Sequence, residues 1–272
     1  MSTVTFYRSA LVIISVFGLA CPDAHRDATS DCSDRIIRMG VASSLREVAL
    51  SLGQELLTRN EPIAVEMVFG ASSALARQLV LGAPMDVFVS ADAEIVDDLV
   101  RRGLLTADST LEFARGRLSL VANADWLSDN PGVDVLDSPH LKRIAIPSAA
   151  VPLGRYARFW LEEKGRLDRL QGRIVTTEHA RATLSAVDAG HVDVAIVYES
   201  DARLAHSAIA LAQIEPSEYP PIRYVAARIA ATTTCPSIDA SIDEALAAWA
   251  SPATSERLAG IGFLPVDSTE SL

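Results

Sequence analysis

The chain has 272 residues, a formal charge of −11 and an apolar fraction of 49%. That length suits one large or two modest domains, and the apolar content is enough for packed cores, which excludes a wholly disordered chain. The acidic balance lacks the basic face that a nucleic-acid partner requires. The five histidines show no paired i, i+4 spacing for a metal, and no nucleophile stands in a recognisable pattern with a base.

Residues 1–20 read as a signal peptide. Arg8 supplies a positive start, and the run from Ala10 to Ala20 is apolar. That run is too short for a membrane-spanning helix, which needs about 20 apolar residues, and it suits the core of an export signal. Gly18 and Ala20 are the small residues expected at −3 and −1 of a cleavage site. Cys21 follows directly, as in a lipid-attachment site, although Gly18-Leu19 reverses the usual bulky-then-small order. Residues 21–34 are polar and unpatterned and read as a tether. If Cys21 carries lipid, Cys32 and Cys235 remain as an even pair open to oxidation outside the cytoplasm.

From Ile36 onward strands and helices alternate. Ile36–Val41 reads as a strand, and Leu45, Val48, Ala49, Leu52 and Leu56 then recur at helical spacing. Ile63–Phe69 alternates at period two. Leu75, Leu79 and Val80 mark a second helix closed by Gly82, Met85–Val89 a short buried strand, and Ile95–Val100 a helix stopped by Gly103. The rhythm changes near Arg115, where a loop leads into a strand at Arg117–Ala122. Ile144–Pro147 is a strand, Arg155–Lys164 a helix rich in aromatics, Ile174–Thr176 a strand, and Ala182–Ala189 a helix closed by Gly190. Val192–Tyr198 is a strong buried strand, and Ile222–Ile229 follows the pair Pro220-Pro221. Ser237–Leu258 is mostly helical with a break at Pro252, and Ile261–Leu264 closes the ordered chain. Such alternation implies an α/β fold built on parallel sheets. The chain is expected to form two lobes, residues 35–116 plus 222–272 and residues 117–221, with two crossings forming a hinge.

Several strands run straight into helices through small or hydroxylic residues: Ala42-Ser43-Ser44-Leu45, Gly70-Ala71-Ser72-Ser73, Pro147 to Gly154, and Thr176 to Arg181. Ligands of open α/β sheets sit beyond the carboxyl ends of strands. Helix N-termini there carry free N–H groups and a partial positive charge, so several converging ends make an anion site without a cation. Taken singly, Ser43, Ser44, Ser72 and Ser73 are also the residues expected as plain N-caps, and Tyr198 reads as a half-buried structural tyrosine. Asp86 and Asp92 suit turn and cap chemistry. His179 stands at a helix start without a triad partner. Tyr156, Phe159 and Trp160 read as a helix face packed on a sheet.

Val41-Ala-Ser-Ser-Leu45, the block Phe69 to Leu79, the block Gly82 to Asp92, Val151-Pro-Leu-Gly-Arg-Tyr-Ala157 and Ile196 to Ala202 together resemble the periplasmic molybdate-binding proteins of ABC importers. The resemblance runs from about Ile36 to Leu264. It implies a two-lobed α/β periplasmic-binding-protein fold of type II, with the ligand cleft between the lobes. It implies capture of molybdate or tungstate as cargo, with no cofactor and no enzymatic activity. Delivery to an ABC importer permease, a periplasmic or lipid-anchored location and a monomeric state follow from the same resemblance. Position by position, Ser44 and Ser72 match the two binding serines, with Ser73 beside the second. Leu153 falls where the family usually has alanine and offers its main-chain N–H. Ala180 falls where a valine or similar residue offers another, and Tyr198 matches the tyrosine whose hydroxyl donates to the oxyanion. Glu199 replaces the small residue common after that tyrosine. The alternatives are a binding protein for another tetrahedral oxyanion, such as sulfate or phosphate, and an enzyme or cytoplasmic regulator on the same fold. The export signal, the missing nucleophile–base pair and the missing helix-turn-helix speak against the last two.

Overall fold

The computed structural model describes residues 36–130, 134–230 and 236–266. The signal peptide, the tether, Cys21, Cys32 and Cys235 lie outside the described residues. The first segment contains β1 (Ile37–Ala42), α1 (Arg46–Leu57), β2 (Val65–Gly70), α2 (Ser72–Val80), β3 (Val87–Ser90), α3 (Ala93–Arg101) and β4 (Leu105–Gly116). Next come β5 (Leu118–Asn123), α4 (Ala124–Asp129), β6 (Ile144–Pro147), α5 (Pro152–Glu163) and α6 (Leu167–Leu170). They are followed by β7 (Ile174–Thr177), α7 (Ala180–Asp188), β8 (Val194–Tyr198), α8 (Glu199–Ala202) and β9 (Ala208–Gln213). The chain ends in β10 (Ile222–Ile229), α9 (Pro236–Ala247) and α10 (Pro252–Gly260).

The strands form two five-stranded sheets, ordered β2-β1-β3-β10-β4 and β7-β6-β8-β5-β9. Hydrophobic periodicity explains most of the elements. Val48, Ala49, Leu52 and Leu56 form the buried stripe of α1, while Val87–Ser90 and Val194–Tyr198, central in their sheets, are buried along their whole length. Gly82, Gly103 and Gly190 take positive φ just beyond α2, α3 and α7, the left-handed conformation that closes a helix at least cost to glycine. Ser251 caps α10 by accepting from the Thr254 N–H, with Pro252 at the first helical position.

Both sheets are mixed rather than parallel. β10 runs antiparallel to β3 and β4, and β5 runs antiparallel to β8 and β9. The cause is the crossing: a strand that leaves one sheet and feeds the other directly has no crossover helix to turn it parallel. The loop expected before Arg115 is instead β4, a 12-residue edge strand. Its first half is polar and solvent-facing, which hid the alternation. β9 also went unread, because its edge position leaves Ile209 exposed and its pattern weak.

The two crossings lie side by side. Gly116 pairs with Ile222 in the β4–β10 ladder, and one residue later the chain enters β5. A side chain at Gly116 would bring Cβ within 2.7 Å of the Ile222 side chain, so the close approach demands glycine. At the other crossing, the Leu118 N–H donates to the Tyr219 hydroxyl at 3.0 Å.

Candidate functional site

Where the carboxyl ends of β1, β2, β3, β6, β7 and β8 meet between the sheets, one small, tight cavity is lined by Ser44, Ser72, Leu153, Ala180 and Tyr198 together. Ser43, Ala71, Ala91, Val151 and Pro152 complete most of the wall, and no charged side chain belongs to it. Larger and more open hollows occur elsewhere, among them one beside Arg115 and Arg223, but they are lined by charged side chains or lie away from the five residues named above. Ser73, adjacent to Ser72, instead lines a separate surface hollow between α2 and α3.

The serines are not caps. The residue before α2 is Ala71, the residue before the turn Ser43–Leu45 is Ala42, and neither site has a side-chain cap bond. Ser72 Oγ instead accepts from the Ala91 N–H at 3.0 Å. A main-chain N–H can only donate, so the hydroxyl proton of Ser72 is left to point elsewhere. Ser44 Oγ lies 3.3 Å from the Tyr224 hydroxyl. Both serines are 2% exposed.

The opposite wall is made of helix starts. Leu153 sits in the first turn of α5, behind Pro152, and Ala180 is the first residue of α7. N–H groups in a first turn have no intrahelical partner and lie at the positive end of the helix dipole. Gly154 lets α5 approach the end of β6, because a Cβ there would lie 2.1 Å from the Ser148 carbonyl oxygen. His179 caps α7, its Nδ1 accepting from the Ala182 N–H at 3.1 Å. Tyr198 ends β8, and its hydroxyl is buried with no protein partner. Burial holds that phenol well above its ordinary pKa, so it remains a donor.

Charge surrounds the cavity without entering it. Arg155, in α5, pairs with Asp92 and lies 3.3 Å from Glu94, both at the start of α3. Asp92 also caps α3 by accepting from the Glu94 N–H. Burial raises the Asp92 pKa despite the Arg155 guanidinium, whose charge and hydrogen bond act to lower it. Arg181, next to Ala180, pairs with Glu47 of α1 and lies 3.5 Å from Asp201. The starts of α5 and α7, which line the cavity, are therefore each tied by a neighbouring arginine to the first lobe. Asp201 is fully buried with neither carboxylate oxygen hydrogen-bonded, and desolvation pushes its pKa up to about 7 against the lowering effect of Arg181. The sequence reading missed Tyr224, Asp201 and the two arginine ties, since nothing in local spacing relates these residues to the serines.

Glu199 points away from the cavity: its Oε1 accepts from Arg203 Nε at 3.2 Å and Gln213 Nε2 at 2.9 Å. Asp86 accepts from the Arg38 N–H at 2.9 Å, a long-range bond to the backbone of β1 rather than the local turn bond expected of it. Tyr156 and Trp160 are buried as expected, but Phe159 is exposed. Among the described residues no group of three or more histidines, cysteines or acids is placed to hold a metal ion. No helix among them is long and apolar enough to cross a membrane.

A cavity of this kind can bind a ligand whose atoms all accept hydrogen bonds. Its polar lining consists of hydroxyls and helix starts, and it offers no carboxylate to receive a ligand proton. A family model for bacterial extracellular solute-binding proteins matches residues 37–256. The molybdate-binding protein ModA of Haemophilus influenzae is 25% identical over 67% of this chain and 74% of its own length. Among solved structures, the periplasmic molybdate-binding protein of Azotobacter vinelandii superposes with a TM-score of 0.73 at 23% identity, covering 85% of this chain and 99% of that one. The sulfate-binding protein SubI of Mycobacterium tuberculosis superposes with a TM-score of 0.68 at 16% identity, over 86% of this chain and 88% of that one. At those identities the two structures establish the fold, a two-lobed periplasmic-binding-protein architecture.

Proposed function

The chain belongs to the bacterial extracellular solute-binding protein family, whose members are binders and not enzymes, and from that premise we propose that it captures molybdate or tungstate between its lobes and delivers it to an ABC importer permease. The observation that carries the reading is the shared cavity: Ser44, Ser72, Leu153, Ala180 and Tyr198 line it together, and the buried Tyr198 hydroxyl has no protein partner. A buried hydroxyl without a partner costs free energy that an accepting ligand atom recovers. Molybdate is a tetrahedral dianion without a proton at neutral pH, so every oxygen accepts. A wall without an acceptor suits it and disfavours phosphate, which still carries a proton that would be left unpaired. Neutral donors also explain why an acidic protein can hold an anion: the cavity needs dipoles, not lysines. The ligand is cargo, and no cofactor is proposed. The chain acts as an exported monomer, periplasmic or held at the membrane by lipid on Cys21.

A second reading is sulfate, also a fully deprotonated tetrahedral dianion, which the same donor set would satisfy; the sulfate-binding protein with this fold supports keeping it. Size separates the two anions. Thermal unfolding with sodium molybdate, tungstate, sulfate and phosphate tests the choice, because stabilisation grows as RT ln(1 + [L]/Kd). Molybdate and tungstate at millimolar concentration are expected to raise the midpoint strongly. A shift with sulfate alone replaces the first reading by the second, and no shift with any of them removes both.

A further inference from the structure

Ser44 has a neighbour that the oxyanion reading does not use. Tyr224 lies on β10, two residues past the crossing at Ile222, and is completely buried. Its ring packs edge-on against Phe263 at 4.8 Å and Tyr198 at 6.1 Å, and against Phe113 at 6.4 Å. These contacts fix where its hydroxyl sits. The hydroxyl lies 3.3 Å from Ser44 Oγ, and it has no other partner among the described residues.

We propose that Tyr224 is a positioning residue for oxyanion capture: it donates to Ser44 Oγ and so commits the serine proton to the ligand. The inference rests on the oxyanion reading of the cavity. With the cavity free of anion, either hydroxyl can donate to the other. A dianion whose oxygens only accept removes that freedom, because Ser44 must then donate inward. The Tyr224 proton then has one acceptor in reach, the lone pair of Ser44. The chain of donors runs Tyr224 to Ser44 to ligand, and each bond polarises the next.

Ser72 supplies the internal comparison. Its acceptor side is filled by the Ala91 N–H at 3.0 Å, a donor that cannot reverse. Both serines thus have a lone pair occupied from behind, one by a fixed donor and one by a hydroxyl that can turn. Burial keeps the Tyr224 phenol well above its ordinary pKa, with the Ser44 hydrogen bond opposing that rise, so the donor persists across the neutral range.

The test is a double-mutant cycle by calorimetry with sodium molybdate and with sodium sulfate, on the full chain as exported. Tyr224→Phe keeps the ring and removes the hydroxyl, and is expected to weaken binding about 3- to 10-fold, the worth of one net hydrogen bond. In a Ser44→Ala background the same change is expected to cost less than about 2-fold, because the bond it removes is already gone. Equal losses in both backgrounds would mean that the tyrosine acts only through packing, and would overturn the proposal. So would wild-type affinity in Tyr224→Phe. If Tyr224→Phe fails to fold, 3-fluorotyrosine at position 224 keeps the size and strengthens the donor. Tighter binding is then expected, and unchanged binding overturns the relay. A wild-type chain that binds neither anion overturns the oxyanion reading and the relay with it. A wild-type chain that binds, with an indifferent Tyr224→Phe, overturns the relay alone.

Discussion

On the first lobe the cavity meets side-chain hydroxyls, those of Ser44 and Ser72; on the second it meets the first turns of α5 and α7 at Leu153 and Ala180, with Tyr198 beside them. The two walls are built for the same chemistry from different material. A hydroxyl can be removed by one substitution, and its direction depends on what stands behind it. A main-chain N–H at a helix start is indifferent to its own side chain and is aimed by the helix itself. The first wall therefore depends on sequence at the site. The second depends on where whole helices are placed, so a side chain as large as that of Leu153 leaves the main-chain N–H of that turn in place.

The largest effect is expected from removing the hydroxyl wall. Ser44→Ala together with Ser72→Ala should cost about 3–6 kcal/mol of binding to the preferred oxyanion, since a hydrogen bond to a charged group is worth about 1.5–3 kcal/mol. Calorimetry showing a loss below tenfold would break the assignment of that wall. The second wall is tested by Ala180→Pro. Proline is tolerated at the first position of a helix, so α7 should persist while its first N–H is lost. Affinity should fall by about 1.5–3 kcal/mol with the apo unfolding midpoint nearly unchanged, whereas Ala180→Val should leave binding within a few-fold. A valine variant as weak as the proline variant would mean that the side chain, not the N–H, makes the contact.

A smaller effect is expected behind the second wall, at Asp201. Its carboxyl holds a proton more tightly folded than unfolded, with a pKa raised from 3.8 to about 7. The stability contributed by the neutral form is therefore full below about pH 4 and is lost as the pH rises towards 7. Asp201→Asn imitates the neutral form at every pH. It should raise the midpoint at pH 8 by about 2–4 °C, the size of ~1 kcal/mol in a domain of this length, and by less at pH 5. A difference independent of pH would show that Asp201 is ionised throughout. The smallest effect belongs to the tie between the walls. Glu47→Ala removes the first-lobe partner of Arg181, in a pair partly open to solvent, and leaves Asp201 beside the guanidinium. It should cost less than about 1 kcal/mol of ligand affinity and vanish at high salt. Titrations at low and high ionic strength would check it.

Much of this was readable before any coordinates. The buried strands at Val87–Ser90 and Val194–Tyr198 announce themselves by continuous apolar runs, and the helix ends at Gly82, Gly103 and Gly190 by the one residue that turns left-handed cheaply. The five residues that line one cavity were singled out from small and hydroxylic residues at strand–helix junctions, joined to the resemblance of those blocks to a known family. What stayed hidden had physical reasons. β4 begins with a polar, solvent-facing stretch and β9 is an exposed edge, so neither carries a strong period. The expectation of parallel sheets held for the pairs β1–β2, β1–β3, β6–β7 and β6–β8 and failed only at β5 and β10, because a strand's direction is set by its connection, not its composition.

The sequence by itself determined the local material: which segments are buried, where helices start and stop, and that several of those starts carry hydroxyls or small residues. Periodicity and capping act within a few residues, so they can be read within a few residues. Only the tertiary structure decided that the starts share one cavity. It also decided that Ser44 and Ser72 are braced by Tyr224 and Ala91 rather than spent as caps, and that Arg155 and Arg181 reach across to Asp92 and Glu47. Those contacts join residues 180, 19, 63 and 134 positions apart in the chain. No local rule of propensity connects positions so distant; only the folding of both sheets brings them within hydrogen-bond reach.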